Sequence, residues 1–370
     1  MRPSLPHLVA PLAPRGLFSR EELAAVRAYF EGRPDLPPTP LRDAPALGAA
    51  LGLGGLWLKD ETARFGLPAF KGLGAPFALA ALARAGRLQA GTTIVCASEG
   101  NHGRAVARAA REAGLAARVY VGARVAQARA DAIAGEGATI VRINGSYDDA
   151  VRVAAEEAAR HGWLVVSDTG WAGYDEIPRL IMQGYTRMMD ECASAWGEAP
   201  PDLVVVQGGV GGLAGAVASW WALRQDLPRP RLVCVEPLDA ACLQQSVRHG
   251  RPVAIAGPLD TIMGGLRCGE VSTTAFPVVA SSFDAYLAID DGWACEAMRR
   301  LARPPGADPT IEAGPSGAAG VGALLALGED AALAGVRAAL AISPATRALA
   351  IISEGVTEPA LFREVVGPRA

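Results

Sequence analysis

The chain has 370 residues and a net charge of −3, a length that exceeds one ordinary hydrophobic core and predicts two domains. Its arginines are evenly scattered, which leaves no basic field for nucleic acid, and no run approaches the roughly 20 apolar residues of a membrane span or a secretory leader. The six cysteines stand far apart with no CxxC pair, so neither a metal site nor a disulfide framework is expected, and a cytoplasmic protein acting on a small molecule is.

In chain order, residues 1–19 are Pro-rich and read as irregular, and Ser19 with Glu22 forms a capping box for a helix to about Phe30. A strand is expected at 56–58 and a helix over 72–82. Then come strand 92–97, helix 104–112, strand 117–121, helix 126–134, strand 139–143, helix 147–161 and strand 163–166. Apolar strands alternating with Ala-rich helices predict a parallel sheet covered on both faces. A second alternating set follows: helix 178–193, strand 203–207, helix 213–223, strand 231–236 and helix 240–249. After a long loop over 250–272, a strand near 286–289, helices at 292–302 and to about 327, and a last strand at 348–353 complete the pattern. The composition changes at Glu198–Pro201, where the chain is expected to return to a core it left near Gly86. This divides it into a large domain of 1–87 with 174–370 and a small domain of 88–173.

Lys59 and Lys71 are the only lysines; every other basic residue is arginine. Solubility does not explain that choice, because arginine serves it equally, whereas only a primary amine can attack a carbonyl. Lys71 lies between Phe70 and Gly72 at the head of a helical segment, where burial and the helix N-terminus disfavour the ammonium form. The plainer alternative is an ordinary lysine at a helix start. Lys59, beside Asp60 and Glu61, reads as a structural ion-pair partner.

Three turns carry further chemistry. Ser98-Glu-Gly-Asn-His-Gly103 joins a strand to a helix, a place that favours an anion such as a carboxylate; the plainer alternative is a glycine-assisted turn with Asn101 as its cap. Gln207-Gly-Gly-Val-Gly-Gly-Leu213 has the glycines that let backbone approach a phosphate. The same loop matches a dinucleotide pattern over 209–214, with Glu236 ending the next strand, so a nicotinamide-dependent oxidoreductase stays open. Ser353 ends the last strand. A lysine, a phosphate cradle and a partner for a pyridine nitrogen are together what pyridoxal 5'-phosphate requires.

These residues resemble the β-family, fold type II, of pyridoxal-phosphate enzymes, and within it the ammonia-lyases acting on diaminopropionate. The resemblance rests on Asp60-Glu-Thr-x-Arg-Phe-Gly-Leu-x-Ala-Phe-Lys71, Gly100-Asn-His-Gly-Arg104, Tyr147-Asp-Asp149, Asp168-Thr-x-Trp-x-Gly-Tyr174, Ile181-Met-Gln-Gly-Tyr185, Ile262-Met-x-Gly-Leu266 and Ser353-Glu-Gly355. It implies an α/β fold like that of the tryptophan synthase β-chain, two parallel-sheet domains with the cofactor between them, and a homodimer. Carried over by position, Lys71 is the Schiff-base lysine and an acid/base at Cα. Asn101 meets the cofactor's phenolic oxygen, Gly208, Gly209, Val210, Gly211 and Gly212 its phosphate, and Ser353 its ring nitrogen. Asp168, Ser98 and His102 face the substrate. The family has an aspartate before Gly-Asn-His-Gly that serves as a second base; here Glu99 stands there. The reaction implied is β-elimination giving pyruvate and ammonia. The alternatives are a dehydratase of β-hydroxy amino acids and a pyridoxal-phosphate binding protein without turnover. No feedback-regulated domain is expected after Ser353.

Overall fold

Runs such as Leu203-Val-Val-Val-Gln207 have no polar face to show to water, and they form parallel strands covered on both sides in the computed structural model of the chain. The structure describes residues 1–9, 16–145, 147–197 and 199–367. Much of the expected irregular N-terminal segment (10–15), Glu198 in the expected boundary, and the side chains of 147 and 148 in the Tyr147–Asp149 motif lie outside the described residues.

The elements, in chain order, begin with β1 (Leu5–Leu8), α1 (Arg20–Glu31), β2 (Leu41–Asp43), α2 (Pro45–Ala50) and β3 (Gly55–Asp60). Next come α3 (Gly74–Arg84), β4 (Thr93–Ala97), α4 (Asn101–Glu112), β5 (Ala116–Gly122), α5 (Gln127–Ala134), β6 (Thr139–Ile143), α6 (Tyr147–His161), β7 (Leu164–Val165) and α7 (Glu176–Tyr185). The remainder is α8 (Arg187–Ala195), β8 (Leu203–Gln207), α9 (Gly212–Ala222), β9 (Arg231–Pro237), α10 (Cys242–His249), α11 (Phe276–Ser282), β10 (Ala285–Ile289), α12 (Asp291–Ala302), α13 (Pro315–Glu329), α14 (Ala334–Ala339), β11 (Arg347–Ile352) and α15 (Pro359–Val366).

By internal contacts these divide into a first unit, Met1–Phe70 with Thr186–Ala370, and a second unit, Lys71–Tyr185. The first unit holds a seven-stranded sheet in the order β1-β10-β9-β8-β11-β3-β2. Its five inner strands are parallel, and β1 and β2 are antiparallel edges. Helix α13 is buried along nearly its whole length, as its Ala, Gly and Leu composition dictates. No single helix among the described residues is long and apolar enough to cross a membrane.

The second unit holds a parallel four-stranded sheet, β6-β5-β4-β7, with the loop Ser98–Gly100 between β4 and α4. Helices α3 and α7 pack through glycine: a Cβ on Gly184 would stand 2.5 Å from the Leu73 carbonyl oxygen, and one on Gly74 2.7 Å from the Tyr185 ring. Only hydrogen fits at these two positions, so the start of α3 lies directly against the end of α7.

Two expectations from the sequence change here. Leu5–Leu8 is an edge strand rather than irregular chain, and Pro6 is tolerated there because an edge leaves some N–H positions unpaired. The helix expected over 178–193 is two helices, α7 and α8, with Thr186 between them.

Candidate active site

In the second unit, Lys71 lies in the short 3₁₀ turn, Phe70–Leu73, that precedes α3. Its ammonium pairs with the Asp168 carboxylate and stands 5.5 Å from the centre of the Tyr185 ring. His102 completes the group, with Nδ1 3.7 Å from Asp168 Oδ2 and Nε2 2.9 Å from the Val166 carbonyl oxygen. A carbonyl can only accept, so Nε2 carries the proton. Burial pushes the imidazole below its ordinary 6.5; Asp168 opposes that shift and the Lys71 charge adds to it. Burial of Asp168 disfavours its charge, but His102 and the Lys71 ammonium beside it, with the Lys71 hydrogen bond, override the penalty and hold its carboxyl well below the usual range. Lys71 is about one-fifth exposed and Asp168 slightly less.

The loop carrying Asp168 is fixed by Tyr174. Its hydroxyl accepts from Ser167 N at 2.9 Å and donates to the Val165 oxygen at 2.8 Å, while its ring stacks on Trp171 at 4.1 Å. Ser98 acts as the cap of α4 in place of Asn101: its Oγ accepts from Gly103 N at 2.9 Å and Gly100 N at 3.3 Å. Asn101 is the first helical residue and is half-buried, as is Glu99. The second unit thus brings together Lys71, Asp168 and His102. It adds Tyr185, which in the sequence is only the last residue of Ile181-Met-Gln-Gly-Tyr185. The signal was its place beside Gly184 at a helix end, and only the glycine contact with Leu73 gives that place meaning.

The first unit carries the glycine loop and Ser353. Gly209 and Gly211 have φ of +59° and +101°, the left-handed region that favours glycine. All four carbonyls from Gly208 to Gly211 turn into the protein, accepting in order from Gly211 N, Cys242 Sγ, Ser272 N and Gly215 N. The amides of Gly209, Val210 and Gly212 have no acceptor among the described residues, and α9 begins at Gly212. That is an anion cradle of N–H groups at a helix N-terminus. Ser353 is buried at the end of β11, with its hydroxyl 3.5 Å from the Ser316 oxygen. An amine, a cradle for a phosphate and a hydroxyl for a ring nitrogen are a donor set that fits pyridoxal phosphate.

The dinucleotide alternative fails on Glu236. Its carboxyl is wholly buried and accepts from Leu243 N and Gln244 N, both at 2.8 Å, so it caps α10 and offers nothing to a ribose. Residues 33–344 match the family described as pyridoxal-phosphate dependent enzyme. The chain belongs to that family.

Within it, a diaminopropionate ammonia-lyase of Salmonella typhimurium is 35% identical over 92% of this chain and 91% of its own. The crystal structure of the Escherichia coli diaminopropionate ammonia-lyase, in complex with an aminoacrylate-PLP azomethine reaction intermediate, is 33% identical and covers 98% of this chain and 96% of its own, with a TM-score of 0.90. The same enzyme in complex with D-serine matches with a TM-score of 0.88, at 31% identity over 98% of this chain and 97% of its own. The architecture is that of fold type II, and the family's cofactor is pyridoxal phosphate.

Proposed function

We propose that the chain is a pyridoxal-phosphate dependent ammonia-lyase that eliminates the β-amino group of a small amino acid of the 2,3-diaminopropionate type, with water then yielding pyruvate and two ammonia. The observation that carries this reading is the Lys71 amine held on Asp168 beside His102, in a chain 35% identical to a diaminopropionate ammonia-lyase. When bound, the cofactor supplies an electron sink for the charge that develops at Cα.

Lys71 is the residue that would hold the cofactor through its amine, and the same amine would move the Cα proton on its own face. Asp168 neutralises the Lys71 ammonium and receives the substrate's amine. His102, neutral and donating through Nε2 to Val166, keeps its Nδ1 lone pair on the Asp168 side and adds no second cation. Asn101 would meet the phenolic oxygen, Gly208–Gly212 the phosphate and Ser353 the ring nitrogen. Ser98 gives its oxygen to two amides of its own loop and so holds the turn to which the substrate carboxylate binds. Glu99 serves the opposite face of Cα, but its extra methylene displaces the carboxylate by about 1 Å from where an aspartate would hold it, a misplacement that can cost on the order of 10²-fold. The enzyme therefore prefers L-substrates. The resemblance supports a homodimer, and six widely spaced cysteines with no CxxC pair suit a cytoplasmic setting.

The test is a panel of 2,3-diaminopropionate, serine and threonine in both hands, with pyruvate (or the corresponding keto acid) and ammonia measured. Two ammonia per pyruvate from L-diaminopropionate, with Glu99→Asp raising D-isomer kcat/KM, is the expected result. A higher kcat/KM on serine or threonine would favour the dehydratase, and no keto acid from any of them would leave a binding protein.

A further inference from the structure

Strands β8 and β11 end at the two groups assigned to opposite ends of the cofactor, the glycine cradle after Gln207 and the hydroxyl of Ser353. Their ladder stops early: the register runs Leu203 with Ala348, Val204 with Leu349 and Val205 with Ala350, and goes no further. Beyond that point the strands splay, as the carboxyl ends of parallel sheets do where they receive a ligand. Along β11 successive carbonyls point to alternate sides. The Ile352 oxygen is taken on the β3 side by Glu61 N at 3.0 Å, so the Ile351 oxygen faces β8, where no backbone N–H pairs with it.

The Gln207 side chain fills that gap. Its Nε2 donates to the Ile351 oxygen at 2.7 Å and also lies 3.1 Å from the Gly317 oxygen and 3.3 Å from the Ser316 oxygen, at the head of α13. Three carbonyls around one nitrogen fix the orientation of the amide, because the reverse flip would set oxygen against oxygen. Its own Oε1 is buried with no partner among the described residues, a burden that an apolar residue would avoid. The same α13 turn is pressed against the strand end. A Cβ on Gly317 would stand 2.0 Å from the Glu354 oxygen, and the Ser316 carbonyl that Gln207 reaches is also the acceptor of the Ser353 hydroxyl at 3.5 Å.

We propose that Gln207 is a positioning residue for the cofactor: it bridges the splayed ends of β8 and β11 and so sets the spacing between the phosphate cradle and Ser353. This rests on the functional reading above, in which those two segments hold pyridoxal phosphate.

A double-mutant cycle on the apoprotein tests it, with the dissociation constant of pyridoxal phosphate as the readout and the melting temperature as a separate check on folding. The variants are Gln207→Met, close in volume, Gln207→Leu as a second apolar replacement, Ser353→Ala, and each Gln207 change combined with Ser353→Ala. Gln207→Met is expected to weaken the cofactor about tenfold when Ser353 is present and less than about threefold in the Ser353→Ala background, because the placement it provides has lost its object. An equal factor in both backgrounds, or an unchanged dissociation constant in a folded variant, overturns the proposal. Should one replacement fail to fold, the other decides by the same two numbers. Failure of wild-type protein to bind pyridoxal phosphate would instead remove the functional reading itself.

Discussion

The two lysines occupy opposite kinds of environment. Lys59, in the first unit, is fully buried, with Nζ 2.6 Å from both Glu191 Oε2 and the Thr39 oxygen. Arg64 is equally buried and bonds the same Glu191 as well as Glu61, and Arg187 Nε reaches Glu191 Oε1 at 3.0 Å, so three cations face two carboxylates in a largely buried cluster. Burial opposes the charge on Glu191, but Arg64 and Lys59 outweigh it and hold its carboxyl well below the usual range. Lys71, in the second unit, pairs with the Asp168 carboxylate, stands 5.5 Å from an aromatic ring and has partial access to solvent. A lysine that balances a buried network cannot leave it without exposing charge to a low dielectric. One paired with a partly accessible carboxylate can be released and react. Lysine suits the two places in this arginine-rich chain for different reasons: Lys59 fits a compact ammonium between a carbonyl and a carboxylate, and in the proposed function Lys71 provides an amine.

Substitutions that exchange these properties should separate activity from stability. Lys71→Arg is expected to lower turnover by more than about 10⁴-fold, because guanidinium cannot become the nucleophilic amine, with the melting temperature little changed. Lys59→Met should do the reverse, costing about 3–5 kcal/mol in urea unfolding because it takes one charge, with its bonds to Glu191 and the Thr39 oxygen, out of a buried network, while KM stays as in wild type. Asp168→Asn removes the Lys71 counter-charge and keeps the shape; a fall of about 10²-fold in kcat/KM is expected, and an unchanged rate would show that Asp168 has no part in the chemistry. The smallest effect concerns pH. The His102 pKa is depressed in the fold, so below pH 6.5 the unfolded chain binds the proton more readily and stability falls on acidification, by up to about 1.4 kcal/mol for each unit of depression. Unfolding measured from pH 7 to pH 5 should show that loss, and His102→Gln should flatten it.

Much of this arrangement was legible in the residues. The strands over 139–143 and 203–207, the helix over 147–161 and the Ser19 capping box stand where periodicity and caps placed them, because each is set by local pattern. What escaped was non-local. The edge strands β1 and β2 have four and three residues and acquire meaning only from β10 and β3. Helices α2 and α14 have six residues each, too few for a period to declare itself. In the site, Lys71 was visible through rarity, and Asp168 and His102 through their motifs. Tyr185 and Gln207 were not, since an aromatic at a helix end or an amide at a strand end looks the same in sequence whether it packs idly or directs a neighbour.

The central claim is that Lys71, and not Lys59, carries the chemistry. Its most direct test is borohydride reduction of the protein loaded with pyridoxal phosphate, followed by peptide mass mapping. The account predicts a single pyridoxyl mark on Lys71. A mark on Lys59, or none on either lysine, would contradict it.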